Sequence, residues 1–401
     1  MIEMETHMKD FEFYTPTKVI FGRGKENQVG EIIKSYGFQK VLVHFGGQSA
    51  KKSGLLDRVL KSLDEAGIPH TQLGGVQANP TLEMVRKGIA LCLEEKVDFV
   101  LAVGGGSVID SSKDIANGAA SPEIDVWDFS MKKQTVAKSL PVGVILTLAA
   151  AGSEMSSSCV ITDEKTGMKR GYNSEYNRPL FAIENPELTY TVDAYQTGCG
   201  AVDIMMHTME RYLTADEGTY LTDGIAEGVM RAAAQAGLDC IRDPENYEAR
   251  ANMMWASSVA HNDLTQCGRT FFMQVHQLEH EVSGMYPQVA HGAGLAALWC
   301  SWARYVYPGK TERFAQFANR VWNIPYDFEN PERTALAGIQ AQENYYRSIQ
   351  MPVNLKSLGV KEEDLEQLAE NCSFGRTRTL PGIRELGCED MLEIYKMAYE
   401  A

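Results

Sequence analysis

Five residues in the second half of the chain have the types and the spacing of a metal site. Asp203 and His207 are four residues apart, as are His276 and His280, and His291 is followed by Gly-Ala-Gly. On a helix, a spacing of four places both side chains of a pair on one face. A carboxylate and imidazoles from two helices suit a borderline divalent metal such as Zn²⁺ or Fe²⁺. The pattern predicts a metal site facing a nucleotide-binding domain.

The spacing leaves alternatives open. It makes His276 and His280 equal candidates, and single His or Asp residues on helices are often satisfied core groups. The run H-Q-L-E-H is not the H-E-x-x-H of metalloproteases, because Gln277 follows the first histidine and the catalytic base is missing. The sequence also contains no G-x-S-x-G motif, which argues against a serine hydrolase.

A glycine-rich turn, G-G-G-S at 104–107, follows a predicted strand at 98–103 and precedes a predicted helix at 108–118. Peptide N–H groups at a helix N-terminus bind phosphate, and glycine lets the phosphate approach the backbone. The turn is not the G-x-G-x-x-G fingerprint, so a tight strand-to-helix turn without a ligand is the alternative. The pattern favours a dinucleotide pyrophosphate at this turn.

A second turn, G-G-Q-S at 46–49, also follows a strand, with Lys51 and Lys52 close behind. No Asp or Glu ends that strand, where an acidic side chain would hold the ribose 2′-hydroxyl of NAD. Glycines, a serine and two lysines can instead accommodate a 2′-phosphate. A plain loop is the alternative.

The elements that must position these residues fall into two regions. Short apolar strands alternate with helices in the first region, which predicts a parallel, doubly wound sheet. Helical periodicity dominates after Asp193. We therefore predict a dinucleotide-binding α/β domain at 9–193 and an all-helical metal-binding and substrate domain at 194–401. The predicted strands are 11–21 (or an extended arm), 40–45, 70–73, 98–103, 141–146 and 180–183 with a hairpin of 159–162 and 169–171, and the predicted helices are 24–36, 55–66, 81–95, 108–118, 222–241, 247–261, 272–285 and 291–305.

The composition narrows the class of protein. The chain has 401 residues and a formal net charge of -15, so nucleic acid is not an expected partner, because phosphate binding requires clustered Lys and Arg. No apolar run reaches the roughly 20 residues that a membrane span needs. The eight cysteines include no C-x-x-C pair, and the acidic residues 1–10 do not resemble a signal peptide. A cytoplasmic protein with reduced thiols is expected.

With these motifs together, the chain resembles the iron-containing (group III) alcohol dehydrogenases, especially their butanol-dehydrogenase-like branch. The resemblance covers nearly the whole chain and differs by one extra residue at Pro287. It rests on F-x-x-P-T-K-V-I-F-G-x-G, G-G-Q-S-A-K-K-S-G, N-P at 79–80, G-G-G-S-V-I-D-S-S-K, L-T-L-A-A-A-G-S-E-M, G-A-V-D-x-x-x-H-x-x-E and H-x-x-E-H-E-V-S-G followed by H-G-A-G-L.

The resemblance implies a Rossmann-like parallel α/β domain and an all-α domain, the fold shared with dehydroquinate synthase, with the active site in the cleft between them. It implies one Fe²⁺ or Zn²⁺ held by Asp203, His207, His276 and His291, and it moves His280 to the nicotinamide side as the candidate proton relay. It implies NADP(H) in preference to NAD(H), and a homodimer. The cofactor residues that it implies are Gly46, Gly47, Ser49, Asn79, Gly104, Gly105, Gly106, Ser107, Asp110, Thr147, Leu148, Ser153, Lys169, Leu188 and His280.

The implied reaction is reversible, metal-dependent hydride transfer between NAD(P)(H) and small primary alcohols or aldehydes, butanol-like in size. A bound metal would polarise the substrate carbon–oxygen bond, while the protein orients the reactants. One alternative is a glycerol, diol or maleylacetate type of dehydrogenase on the same scaffold. The others are a dehydroquinate-synthase-like lyase and a catalytically silent metal-binding or sensor protein.

Overall fold

The structure, a computed structural model, describes residues 7–401. It divides into two compact units: Thr15–Val192, and a second in which the described residues up to Tyr14 join Asp193–Ala401. The sequence placed residues 9–14 in the first domain, whereas in the structure the Lys9 N–H donates to the Gly268 carbonyl at 2.8 Å, within the second unit. Residues 1–6 lie outside the described residues. They make up most of the segment 1–10, which was predicted not to be a signal peptide.

The first unit is an α/β unit around a parallel sheet. Its strands and helices are β1 (Lys18–Phe21), α1 (Val29–Ser35), β2 (Val41–Gly46), α2 (Ser49–Lys52), α3 (Leu55–Ala66), β3 (His70–Val76), α4 (Leu82–Glu95), β4 (Phe99–Gly104), α5 (Gly106–Ala120), α6 (Trp127–Ser130), β5 (Val142–Leu146), β6 (Ser158–Asp163), β7 (Met168–Asn173) and β8 (Phe181–Glu184). The six-stranded sheet has the order β1-β8-β5-β4-β2-β3 with every pair parallel, and β6 and β7 form the predicted antiparallel hairpin. The predicted parallel α/β class is confirmed.

The central strands are buried on both faces, which is why their sequences are continuously apolar rather than alternating. Alternate residues of β2 and β4, such as Val43 and Leu101, pack on one face against apolar residues of α1 and α3, such as Ile33 and Val59. Because the strands are parallel, the carboxyl ends of neighbouring strands lie at the same edge of the sheet. The strand order reverses between β2 and β4, and in open α/β sheets such a reversal opens a crevice at the carboxyl ends of the strands.

Two predicted boundaries differ from the structure by more than three residues. The helix predicted over 24–36 begins at Val29, after a 3₁₀ turn at Lys25–Gln28 that follows Gly24 in the left-handed region, with φ of +67°. The strand predicted over 11–21 is limited to Lys18–Phe21, which pairs with β8. In both cases apolar pattern alone could not show where hydrogen bonding to a partner begins.

The second unit is mainly helical, as predicted. Its helices are α7 (Ala194–Tyr212), α8 (Tyr220–Arg242), α9 (Tyr247–Ala260), α10 (Gln274–Met285), α11 (His291–Val306), α12 (Thr311–Trp322), α13 (Pro331–Ser348), α14 (Leu365–Cys372) and α15 (Cys388–Glu400). The side chain of Asp193 caps α7 by accepting the Gln196 N–H at 2.7 Å. Over residues 7–401, no helix has the length and apolar character that crossing a membrane would require.

Candidate functional site

Three helices of the second unit carry the predicted metal ligands. Asp203 and His207 lie one turn apart on α7, which is buried from Thr197 onward. His276 lies in the first turn of α10, and His291 is the first residue of α11. Pro287, which the resemblance implied to be an extra residue, lies in the turn between these two helices, before the start of α11.

The three predicted histidine ligands converge on a carboxylate oxygen of the fourth ligand, Asp203. Oδ1 of Asp203 lies 3.2 Å from Nδ1 of His207, 3.6 Å from Nε2 of His276 and 3.9 Å from Nε2 of His291. Asp203, His207 and His276 each offer a ligand atom within 4.8 Å of the other two, and His291 forms a second such group with Glu279 and His280. The structure therefore brings the ligand set of the resemblance together around Asp203.

Two atoms at the centre of this cluster lack a hydrogen-bond partner. Asp203 Oδ1 and His276 Nε2 are both buried and unsatisfied among the described residues. A buried polar atom without a partner is costly, and such atoms commonly mark an ion or a catalytic site. One carboxylate oxygen and three imidazole nitrogens are a donor set that Zn²⁺ or Fe²⁺ accepts. The residues present therefore fit the predicted metal.

One ring nitrogen of each imidazole is held by the protein. His207 Nδ1 donates to the Asp203 backbone carbonyl at 3.0 Å, which leaves its Nε2 lone pair for a ligand bond. His276 donates its Nδ1–H to Glu210, and His291 donates its Nδ1–H to Glu279. Neither glutamate was predicted to be a site residue, although D-x-x-x-H-x-x-E places Glu210 on the face of α7 that carries Asp203.

The pKa values of His207 and His276 are shifted in opposite directions. Burial lowers the pKa of His207 well below its ordinary value, and the neighbouring His261 and His276 lower it further. Burial also lowers the pKa of His276, but the Glu210 and Asp203 carboxylates outweigh it and raise that pKa to about 9. The Glu210 and Asp203 carboxylates beside His276 therefore favour a positive charge at this ring.

Two further histidines lie beside the cluster. His280 is buried one turn beyond His276, and its ring centroid lies 6.4 Å from that of His276 and 5.6 Å from that of His291. His261, at the end of α9, stacks on His207 with ring centroids 4.1 Å apart. His261 was missed because it belongs to no spaced pair, and the sequence contains no local signal that would place it here.

The glycine-rich turn of the first unit connects β4 to α5. Gly104 ends the strand, Gly105 precedes the helix, and Gly106 and Ser107 open its first turn. A Cβ at Gly104 would lie 2.4 Å from Cγ2 of Val108, so no side chain fits there. The free N–H groups of the first helical turn are the groups that bind phosphate.

The segment after β5 packs on this turn. The Thr147 N–H donates to the Gly104 carbonyl at 3.1 Å. A Cβ at Gly105 would lie 3.1 Å from Cβ of Leu148, and one at Gly106 would lie 3.1 Å from Cβ of Ala151. The structure thus brings Thr147 and Leu148 together with the predicted pyrophosphate turn.

The second glycine turn flanks the same strand reversal. Gly46 ends β2, the strand beside β4, and Gly47 and Ser49 lead into α2. A Cβ at Gly47 would meet nothing within 4 Å, so packing does not explain that glycine. Lys51 is exposed, with Nζ 5.2 Å from the ring centroid of Phe45.

The other predicted cofactor residues form pairs. Ser153 donates to Asp110 Oδ1 at 2.5 Å, and Lys169 donates to Asn79 Oδ1 at 3.0 Å. Leu188, in the turn after β8, packs instead against the hydrophobic core of the sheet. The first pair joins the segment after β5 to α5, and the second joins β7 to the segment after β3.

Comparison with known proteins identifies the class. Residues 16–186 match the family described as iron-containing alcohol dehydrogenase, and residues 197–399 match the C-terminal domain of the same Fe-containing family. The chain therefore belongs to the iron-containing alcohol dehydrogenase family, as its motifs predicted, and is an oxidoreductase acting on CH–OH groups.

Individual relatives match more than nine tenths of the chain. It is 40% identical over 393 residues to NADH-dependent butanol dehydrogenase A of Clostridium acetobutylicum, a match covering 98% of this chain and 100% of that one. It is 35% identical over 378 residues to the NADPH-dependent aldehyde reductase YqhD of Escherichia coli, covering 91% and 96% respectively. The crystal structure of NADH-dependent butanol dehydrogenase A from Thermotoga maritima superposes with a TM-score of 0.95 at 37% identity, covering 98% of this chain and all of that one.

Proposed function

We propose that this chain is a metal-dependent, NAD(P)(H)-linked alcohol dehydrogenase that interconverts small, butanol-like primary alcohols and aldehydes. The observation that carries the proposal is the convergence of three histidines on Asp203 Oδ1, in a family of alcohol dehydrogenases. The names of the relatives support the substrate class, because they include butanol dehydrogenases and an aldehyde reductase. Neither the lyase nor the glycerol and maleylacetate alternatives has such support.

The metal ligands in this proposal are Asp203, His207, His276 and His291. They would hold one divalent ion, Fe²⁺ or Zn²⁺, which when bound supplies Lewis-acid chemistry to the substrate oxygen. The unsatisfied Asp203 Oδ1 and His276 Nε2 support this assignment, since both atoms are buried and suited to a cation. His280 belongs to a second group of potential ligands, with Glu279 and His291, but in this proposal it has another role.

That role, in our proposal, is proton transfer. Oxidation of an alcohol releases a proton and reduction of an aldehyde consumes one, so a group near the ligand cluster must exchange it. The buried ring of His280 lies beside His276 and His291, and imidazole is the side chain best suited to this exchange near neutral pH. His280 would act through water or a ribose hydroxyl of the cofactor.

For the cofactor we propose that the N–H groups of Gly104 to Ser107 bind the pyrophosphate. Gly46, Gly47 and Ser49 would surround the adenosine ribose, and the remaining contacts would come from Asn79, Asp110, Thr147, Leu148, Ser153, Lys169, Leu188 and His280. NADP(H) is the preferred form because β2 ends without a carboxylate and Lys51 and Lys52 follow it. The relatives divide on this point, since the names include both NADH-dependent and NADPH-dependent enzymes.

We further propose a homodimer in the cytoplasm. Within the described residues, β1 is an edge strand that pairs only with β8, and its free edge could pair with a second copy. All eight cysteines lie in the described part of the chain, where they are buried and form no disulfide, as expected for a reducing compartment.

The decisive experiment measures oxidation of NADPH and NADH with butanal as the substrate, before and after removal of metal by a chelator. We expect activity to disappear with the metal and to return with Fe²⁺ or Zn²⁺. A panel of glycerol, 1,3-propanediol and maleylacetate tests the other dehydrogenase types. Turnover of butanal that is indifferent to chelation would refute the metal-dependent mechanism, and bound metal without any turnover would favour the sensor.

A further inference from the structure

Two glutamates stand behind the proposed ligand histidines. Glu210 is 3% exposed on α7, and Glu279 is fully buried on α10. Burying a carboxylate is costly unless it is paired, so each requires a compensating partner. In both cases that partner is the Nδ1–H of a histidine in the cluster around Asp203.

Glu210 contacts two consecutive residues at the start of α10. Its Oε1 accepts the Val275 N–H at 2.5 Å, and its Oε2 accepts from Nδ1 of His276. The backbone and the ring are therefore held by the same carboxylate. With Nδ1 occupied, Nε2 of His276 faces Asp203 Oδ1 at 3.6 Å.

Glu279 performs the same task across a different pair of helices. Its Oε2 accepts from Nδ1 of His291, the first residue of α11, and Nε2 of that ring lies 3.9 Å from Asp203 Oδ1. The contact depends on a glycine one turn further along α11. A Cβ at Gly294 would lie 2.8 Å from both Cγ and Oε1 of Glu279, so any larger residue would displace that side chain.

The third ligand imidazole, that of His207, has a different kind of hydrogen-bond acceptor. His207 donates its Nδ1–H to the Asp203 carbonyl, a backbone group whose position α7 already fixes. His276 and His291 lie at the beginnings of their helices, and each donates its Nδ1–H to a side-chain carboxylate. The two glutamates are the acceptors that hold these rings.

We infer that Glu210 and Glu279 are positioning residues that hold His276 and His291 with Nε2 directed at the metal. The inference rests on the metal site proposed above. A carboxylate that accepts the second N–H of a ligand imidazole fixes its tautomer and orientation and increases its basicity, and losing such a partner typically lowers metal affinity by about 10- to 100-fold. Gly294 belongs to the same device, because it leaves the room that Glu279 occupies.

The test compares the metal affinities of Glu210→Gln, Glu279→Gln and Gly294→Ala with that of the wild type. The dissociation constant for Co²⁺ is measured by competition with a chelator, and the visible absorption spectrum of the Co²⁺ protein reports the ligand geometry. We expect roughly 10- to 100-fold weaker binding and an altered spectrum in all three variants. Thermal melting of the metal-free proteins monitors folding.

The matched control is Glu227→Gln, which changes a buried glutamate of α8 that accepts from Tyr212 and contacts no histidine of the cluster. It should leave the Co²⁺ affinity and spectrum unchanged. Gly294→Ala displaces Glu279 from His291 without removing a charge. This variant therefore still tests the inference if Glu279→Gln does not fold.

Two outcomes separate the inference from the proposed function. If the wild type binds Co²⁺, and His276→Ala abolishes that binding, but all three variants bind within twofold of the wild type with its spectrum, the positioning roles are overturned and the metal site stands. If the wild type does not bind Co²⁺, Zn²⁺ or Fe²⁺ at all, the metal site and the positioning roles fall together.

Discussion

Oδ1 of Asp203 lies 3.6 Å from Nε2 of His276, and both atoms are buried without a hydrogen-bond partner. The two residues come from different helices, α7 and α10, so their approach is a product of helix packing rather than of local sequence. An unsatisfied carboxylate oxygen facing an unsatisfied imidazole nitrogen is stable only with a shared proton or a cation between them.

Replacing His276 by alanine should remove the metal and the activity together. A Lewis acid contributes several kcal/mol to the transition state, so kcat/KM with butanal should fall by about a thousandfold or more. Metal content per chain, measured by elemental analysis, should fall in parallel. A variant that keeps both its metal and its turnover would show that His276 is not a ligand.

Replacing His280 by alanine should separate metal binding from turnover. If His280 moves a proton and does not ligate, the variant should retain as much metal as the wild type while kcat falls by roughly 100- to 10,000-fold, the range for loss of a general acid–base group. Elemental analysis and steady-state kinetics on the same preparation decide the matter. Loss of metal would instead place His280 among the ligands, as the spacing alone allowed.

Sequence patterns predicted the fold class and much of the element order. Continuous apolar strands and glycine-terminated helices are local features, so the parallel sheet, the β6–β7 hairpin and the long helices after Asp193 could be found. The association of His207 with His261 could not, because it requires the end of α9 to pack against α7. Glu210 lies in the motif D-x-x-x-H-x-x-E, and Glu279 lies in H-x-x-E-H. Their roles nevertheless depend on which histidine ring each glutamate faces in the folded protein.

Introducing a carboxylate at the end of β2 should shift the cofactor preference. In Gly46→Asp the new Cβ fits, since it would lie 3.7 Å from its nearest neighbours, Cγ2 of Val108 and the Val76 carbonyl oxygen. It can accept from a ribose 2′-hydroxyl but repels a 2′-phosphate by about 1–4 kcal/mol at ~4 Å. We expect the kcat/KM ratio of NADPH to NADH to fall by about 10- to 100-fold.

The matched control for that variant is Gly46→Asn, which has nearly the same shape and no charge. It should change the ratio far less than Gly46→Asp. Equal effects of the two substitutions would attribute the change to shape, and an unchanged ratio in Gly46→Asp would place the 2′-phosphate away from this turn.

A buried carboxyl in the first unit should make stability depend on pH. Burial of Asp114 on α5 raises its pKa from 3.8 to about 7, although the hydrogen bond from Tyr172 at 2.7 Å acts in the opposite direction. Between these two pKa values the unfolded chain loses the proton while the folded protein keeps it. This group therefore destabilises the protein progressively as pH rises from about 4 to 7, by a total on the order of 4 kcal/mol.

In Asp114→Asn that pH-dependent cost is absent, while the amide oxygen can still accept from Tyr172. We therefore subtract the melting temperature of the wild type from that of the variant at each pH. This difference should be several degrees more positive at pH 8 than at pH 4.5, since about 1 kcal/mol corresponds to roughly 2–4 °C for a unit of this size. Comparing the two proteins at each pH cancels the constant cost of the new amide. A difference in melting temperature that is the same at both pH values would mean that Asp114 ionises normally in the folded protein.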